Sequence, residues 1–225
     1  MSIIFQNVYF NINEKHILKN ININLSEPRI AIIGNNGSGK STFLRLINGL
    51  FLPTDGHVIV DDILTSQDIK NIRGKVGMIF QNPEHQIIMP TVEEDLAIGL
   101  KQFNLTKNDI KDRVENALNN FGLNHLRYSN TYNLSGGEKQ LLAIAGVLII
   151  NPLYLLFDES TTLLDYKNKK LFMNILNTLK QTIIFVTHDL ELIRDFNRAI
   201  VMNDGKISYD GKVELAIKKY LDDIR

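Results

Sequence analysis

Apolar residues recur along this chain in distinct rhythms, and each rhythm predicts an element. Between residues 3 and 25 they alternate loosely with polar ones: Ile3, Phe5, Val8, Phe10 and Ile12, then Ile17, Ile21, Ile23 and Leu25. Polar Asn13, Glu14 and Lys15 separate the halves, so the stretch predicts an antiparallel pair of strands. Short apolar runs predict strands at 29–33, 57–60, 75–80, 153–157 and 182–186. Helical spacing marks 41–50, where Phe43, Leu44, Leu46, Ile47 and Leu50 recur, and also 169–179 and 213–224. The runs 199–202 and 206–209 flank Asn203, Asp204 and Gly205, which predicts a hairpin.

The character changes at residue 91. Thr91 with Glu94, Thr106 with Asp109, and Ser135 with Glu138 are capping signals, each followed by helically spaced apolar residues. They predict a helical insertion between strands, reaching from about 91 to 150. Strands alternating with helices elsewhere imply a mainly parallel core sheet. No repeat, linker or low-complexity segment divides the chain, so residues 1–225 are expected to be one α/β domain with a helical subdomain inside it.

Composition narrows the classes. Lys plus Arg and Asp plus Glu each number 25, so the total charge shows no footprint for nucleic acid. Without cysteine there is neither a disulfide nor a thiolate metal site, as suits a reducing compartment. The start, M-S-I-I-F-Q, lacks the basic and apolar regions of a signal peptide. The longest apolar run, 141–150, stops at Asn151 and Pro152, whereas a membrane helix needs about 20 residues. The chain is therefore expected to be soluble by itself.

Chemistry enters at residues 34–42, which read G-N-N-G-S-G-K-S-T and match the phosphate-binding pattern G-x-x-x-x-G-K-[ST]. A predicted strand precedes this loop and a predicted helix follows, which aims a helix N-terminus at an anion. Gly34, Gly37 and Gly39 let backbone amides close around a phosphate chain, joined by Asn35, Asn36, Ser38 and Thr42. Lys40 would reach the terminal phosphates and the Ser41 hydroxyl would ligate Mg²⁺. Downstream, the run 153–157 ends in Asp158 and Glu159. With a phosphate loop upstream, Asp158 reads as a second Mg²⁺ anchor and Glu159 as the group that polarises an attacking water. Leu134 to Gln140 read L-S-G-G-E-K-Q. The cap explains Ser135 and Glu138; it does not explain Gly136 and Gly137, since a glycine costs a helix interior roughly 1 kcal/mol.

The heptapeptide L-S-G-G-E-K-Q resembles the signature of the ATP-binding cassette (ABC) ATPases, and the other motifs fall in that family's order over essentially the whole chain. They are the phosphate loop at 34–42, Gln81 after a strand, the signature at 134–140, the run 155–159, Leu164 with Asp165, and His188. The resemblance implies a P-loop NTPase fold with an N-terminal antiparallel β part, binding ATP with Mg²⁺ and hydrolysing it. It further implies Gln81 as a sensor of Mg²⁺ and the lytic water, Glu159 as general base and His188 on the γ-phosphate. Ser135, Gly136 and Gly137 would complete the site of a second, identical or paralogous, protomer arranged head to tail, with Asp165 in the loop that crosses between them.

A finer resemblance lies in F-Q-N-P-E-H-Q at 80–86 with P-T-V-E-E-D at 90–95. It is similar to the ATPases of energy-coupling factor (ECF) importers of vitamins or transition-metal ions. That implies a transmembrane scaffold subunit, a substrate-binding membrane subunit, and a place on the cytoplasmic face of the membrane, with no nucleic-acid partner. Residues 86–96, including the apolar triplet Ile87, Ile88 and Met89, are then expected to receive a helix of the scaffold, with Glu93, Glu94 or Asp95 pairing to its basic residues. Two alternatives stand beside this: another importer class, and a soluble assembly ATPase such as one for iron–sulfur clusters. Two positions depart from the family pattern. Ile12 stands where an aromatic ring usually stacks on adenine, with Tyr9 and Phe10 nearby, and S-T-T-L at 160–163 replaces P-T-S-A.

Overall fold

A computed structural model describes residues 2–223 and divides the chain into two compact units. The first comprises residues 1–78, 153–158 and 181–225, the second 79–152 and 159–180. The last residue of the helix expected at 213–224, Ile224, lies outside the described residues.

The first unit contains two sheets. Strands β1 (Ile3–Ile12), β2 (Lys15–Leu25), β4 (Asp55–Val60) and β5 (Ile63–Leu64) form an antiparallel sheet in the order β2-β1-β4-β5. The loose alternation of the sequence has a cause here. Phe5 faces Ile23, Val8 faces Ile21 and Phe10 faces Leu18. Between the first two pairs β1 carries one extra residue; between the second and third, β2 does. The extra residues sit at Asn7 (φ +50°) and Asn20 (φ +53°), left-handed positions that asparagine tolerates. The bulges keep Ile3, Phe5, Val8 and Phe10 all buried. They also place Leu18 inward in β2, where the plain alternation had pointed to Ile17, which is half-exposed.

The second sheet has six strands: β3 (Arg29–Gly34), β6 (Val76–Ile79), β7 (Tyr154–Asp158), β8 (Thr182–Val186), β9 (Arg198–Asn203) and β10 (Lys206–Gly211). Their order is β10-β9-β3-β8-β7-β6, with β3 parallel to β8 and β9, β7 parallel to β8, and β9 antiparallel to β10. Helix α1 (Lys40–Ile47) packs against strands of both sheets, and its Phe43 ring stacks on Phe5 with centroids 4.2 Å apart. Helix α2 (Ile69–Lys75) and strand β5 were not legible in the pattern, because α2 buries only Ile72 and β5 is two residues long. Tyr154, fully buried on β7, donates to the Asp61 carboxylate at 2.5 Å, and the Ser2 amide donates to the same oxygen at 3.1 Å. Helix α7 (Val213–Asp223) covers β9 and β10.

The second unit is helical: α3 (Val92–Ile98), α4 (Lys107–Asn120), α5 (Gly136–Leu148) and α6 (Tyr166–Thr178). Helices α3, α4 and α5 each begin with a reciprocal capping box, at Thr91, Thr106 and Ser135. Arg127 fastens the loop after α4: it donates to Glu93 at 2.6 Å and to Glu115 at 2.5 Å.

Candidate functional site

In the first unit, β3 delivers residues 34–39 to the C-terminal edge of the parallel strands, the end at which α/β sheets bind ligands. Two of the loop glycines are demanded by the fold itself. A Cβ on Gly34 would lie 2.2 Å from the Met202 carbonyl oxygen, and one on Gly39 (φ +101°) 2.7 Å from Leu18. Lys40 opens α1, is 5% exposed, and donates to the carbonyl oxygens of Gly34 at 2.7 Å and Asn35 at 2.9 Å. Its ammonium is thereby folded back over the loop. The Ser38 hydroxyl is buried with no hydrogen-bond partner, a costly arrangement unless a ligand oxygen meets it. Asn35, Asn36 and Gly37 are exposed at the tip, and Thr42 is half-buried in the first turn of α1.

Ser41 and Asp158 come together: Ser41 Oγ donates to Asp158 Oδ1 at 2.8 Å. A hydroxyl and a carboxylate are hard oxygen donors of the kind Mg²⁺ takes from proteins while keeping several waters. The described residues contain no cluster of three or more His, Cys, Asp or Glu. His188 is exposed just beyond the C-terminal end of β8. At the rim of the antiparallel sheet, Ile12 is 47% exposed. Phe10 is committed to the interior, stacked on Phe51 with centroids 5.1 Å apart, so it offers no ring at that rim.

The second unit holds Gln81, Glu159 and the signature. Glu159 has φ +50°, a left-handed conformation that costs a non-glycine residue on the order of 1–3 kcal/mol and tends to be kept where function requires it. Gln81 Nε2 donates to Glu159 Oε2 at 3.2 Å. Ser135 caps α5, accepting the Glu138 amide at 3.3 Å, while Glu138 Oε2 accepts the Ser135 amide at 2.8 Å. The Ser135 hydroxyl in turn donates to Glu138 Oε2 at 2.7 Å, and this bond first, then the amide's, holds the Glu138 carboxyl below its ordinary range. The two signature glycines differ. A Cβ on Gly137 would meet Asn168 at 3.2 Å, whereas one on Gly136 would meet nothing within 4 Å. The fold of the single chain thus gives no reason for Gly136. Asp165, expected in a loop between protomers, has a local role as well: it caps α6, accepting the Asn168 amide at 2.7 Å.

A cleft of about 430 Å³ opens on this unit, lined by Ile87, Ile88, Met89, Pro90, Thr131 and Tyr132 among others. Ile88 is 71% exposed and Tyr132 87%. The three carboxylates expected to pair with a partner are engaged inside the chain. Glu93 accepts from Arg127, Glu94 completes the Thr91 capping box, and buried Asp95 accepts the amides of Ile88 at 2.9 Å and Met89 at 3.0 Å. Burial raises the Asp95 carboxyl above its ordinary range, and the two amide bonds only partly oppose this. Thr131 secures the same loop by donating to the Met89 carbonyl at 2.8 Å. Thr131 and Tyr132 escaped sequence reasoning because they lie some forty positions from the triplet, joined to it through the Thr91–Asn130 bridge that no local pattern announces.

The sequence model of the ABC transporter family matches residues 18–162, the span from the second strand through Glu159. The chain belongs to the ABC transporter family. Relatives of this ABC ATPase include an ATP-binding protein of Bartonella henselae named as a putative ABC transporter component, 51% identical over 92% of this chain and 91% of that one. The biotin transport ATP-binding protein BioM of Rhizobium etli is 42% identical over 98% of both chains. The ECF transporter ATP-binding protein EcfA1 of Mycoplasma pneumoniae is 39% identical over 92% of this chain and 78% of its own. Among solved structures, cbiO1 of Clostridium perfringens, part of the complex cbiONQ, superposes with a TM-score of 0.83 at 32% identity, covering 97% of this chain and 92% of that one. A dimeric cassette bound to ADP and phosphate superposes at 0.85 and 30% identity, over 94% of this chain and 98% of its own. No helix among the described residues of this ABC ATPase is long and apolar enough to cross a membrane.

Proposed function

We propose that this ABC ATPase powers an ECF-type importer of a vitamin or transition-metal ion, working as half of a head-to-tail pair on the cytoplasmic face of a membrane scaffold. The observation that carries the proposal is the open apolar cleft built by residues 87–90 and Thr131, within the stretch most like ECF ATPases. Its occupant is a short amphipathic helix of the scaffold, laid with its apolar face on Ile87, Ile88 and Met89. The names of BioM and EcfA1, both similar over more than nine-tenths of this chain, support the assignment.

The reaction is ATP plus water to ADP plus phosphate. Lys40, Ser38 and the amides of residues 34–42 hold the phosphates. Ser41 and Asp158, joined by a hydrogen bond, would hold Mg²⁺ with Gln81, and the bound ion would offset charge gathering on the phosphate oxygens. Glu159, fixed by Gln81, accepts a proton from the attacking water, and His188 contacts the γ-phosphate. Ser135, Gly136 and Gly137 close over the ATP of the second protomer; the open space at Gly136 supports this role. The hydrophobic contact and not the carboxylates should hold the scaffold, so Ile88→Lys tests the reading. It should abolish co-purification of the scaffold and a small membrane substrate-binding subunit from native membranes, while ATP hydrolysis by the isolated chain persists. Recovery of soluble assembly factors with the wild-type chain, or normal membrane assembly of the variant, would count against it.

A further inference from the structure

The chain contains the dipeptide Asn-Gly twice, at 36–37 and at 48–49, and the structure treats the two differently. Asn36 and Gly37 are exposed at the tip of the phosphate loop, and a Cβ on Gly37 (φ +79°) would meet nothing within 4 Å. The Gly37 amide makes no hydrogen bond among the described residues. Asn48 is 6% exposed, its amide group donates to Met78 Sδ at 3.3 Å, and its carbonyl accepts the Leu50 amide at 3.1 Å. The Gly49 amide is itself engaged by the Leu46 carbonyl at 3.4 Å.

We propose that Asn36 is a spontaneous modification site, deamidated through Gly37, and that nucleotide occupancy of the loop suppresses the reaction. The backbone nitrogen of Gly37 attacks the side-chain amide carbon of Asn36. The new C–N bond closes a five-membered imide, the amide nitrogen departs as ammonia, and the Gly37 proton leaves with it. Water then adds to either imide carbonyl and opens the ring to aspartate or to its β-linked isomer. Glycine is what makes the nitrogen accessible, because no side chain stands beside it and the backbone can swing towards the ring-closing geometry. At 48–49 the same chemistry is blocked: the nucleophile is hydrogen-bonded and the electrophile is packed in place. At 36–37 neither restraint exists.

Either product harms the loop. Aspartate puts a negative charge where a phosphate chain must sit, and the β-linked isomer adds a methylene to a backbone whose amides have to converge. Resting on the nucleotide-binding reading of the loop, the inference makes ATP a protectant: phosphates that occupy the amides remove Gly37 from attack. A chain left without ATP would age at its own active site.

Full-length protein is incubated in mildly alkaline buffer with and without ATP and Mg²⁺, then digested and mapped by mass spectrometry. Asn36 should convert several-fold faster than Asn48 in the folded protein, and the two rates should converge in denaturant. ATP should slow Asn36 alone. In aged samples, chains modified at Asn36 should be depleted from the fraction retained on immobilised ATP, with affinity roughly tenfold weaker, as expected when a like charge joins an anion nest. Asn36 converting no faster than Asn48 would overturn the proposal, as would undiminished retention of modified chains. If fresh protein binds ATP yet ATP leaves the rate at Asn36 unchanged, the protection is refuted. Failure of fresh protein to bind ATP at all would instead remove the nucleotide reading, a result that the Asn36 to Asn48 rate ratio does not produce.

Discussion

Glu159 is held by three features that the sequence could show only in part. Its place after an apolar run was legible; its left-handed backbone and the Gln81 hydrogen bond were not, since both arise from how distant segments meet. As a positioned base it should be worth about 10²-fold or more in turnover, which steady-state hydrolysis by Glu159→Gln would measure. ATP binding should survive in that variant, because the phosphate contacts remain; near-normal turnover would assign the base elsewhere. Ile12 poses the complementary case. An aliphatic side chain at an exposed rim gives contact without a π-face, and stacking is worth on the order of 1 kcal/mol. Ile12→Tyr is expected to tighten ATP binding several-fold by titration calorimetry. Phe10 cannot already supply the ring, being stacked on Phe51.

At the scale of elements, long periodic segments were legible and short ones were not. Helices α3, α4 and α5 announced themselves through their caps, whose donors and acceptors are three residues apart and so visible in any window. The Tyr154 to Asp61 tie was invisible, since its partners are 93 positions apart. It joins β7 to the loop between β4 and β5, and it makes a pH prediction. Burial pushes the Asp61 carboxyl up, but the Tyr154 hydroxyl, the Ser2 amide and Lys75 outweigh it and leave it below its ordinary range. A depressed carboxyl contributes stability above its unfolded value, near about 3.9, and that stability is lost as pH falls through the folded value. Tyr154→Phe should cost about 1.5–3 kcal/mol near neutrality, the worth of a hydrogen bond to a charged group. Denaturant melts across the acidic range should also show a shallower loss of stability in the variant than in the wild type. Equal slopes would mean that Asp61 does not need the hydroxyl to stay ionised.

For the whole molecule, the question is what one chain lacks. Gly136 begins α5 beside open space, and an acidic side chain there would suit the helix N-terminus, so Gly136→Asp should fold normally. It should nevertheless abolish hydrolysis if that glycine serves the ATP of a second protomer. Lys40→Ala should abolish it from the other side. Mixed, the two variants should form some dimers with one intact composite site, and activity should partly return if one site suffices. A rate independent of protein concentration, together with no recovery on mixing, would make the single chain sufficient. If the natural partner is a paralogue, the same pairing must be made across the two chains. The proposed assembly rests, in the sequence, only on the resemblance of L-S-G-G-E-K-Q, because a surface that would serve another molecule leaves no trace in the periodicity of its own chain.

The bulges at Asn7 and Asn20 behave like spacers, letting one strand carry a residue that its partner does not count. Each absorbs one extra residue in its own strand, so that Val8 still faces Ile21 and Phe10 still faces Leu18, and a further shift follows between Phe10 and Asn11 before the Asn13 turn. The extra residue at Asn7 is one that neither neighbouring strand counts: a chain that lost it should keep Phe5 opposite Ile23 and Val8 opposite Ile21, now in plain alternation.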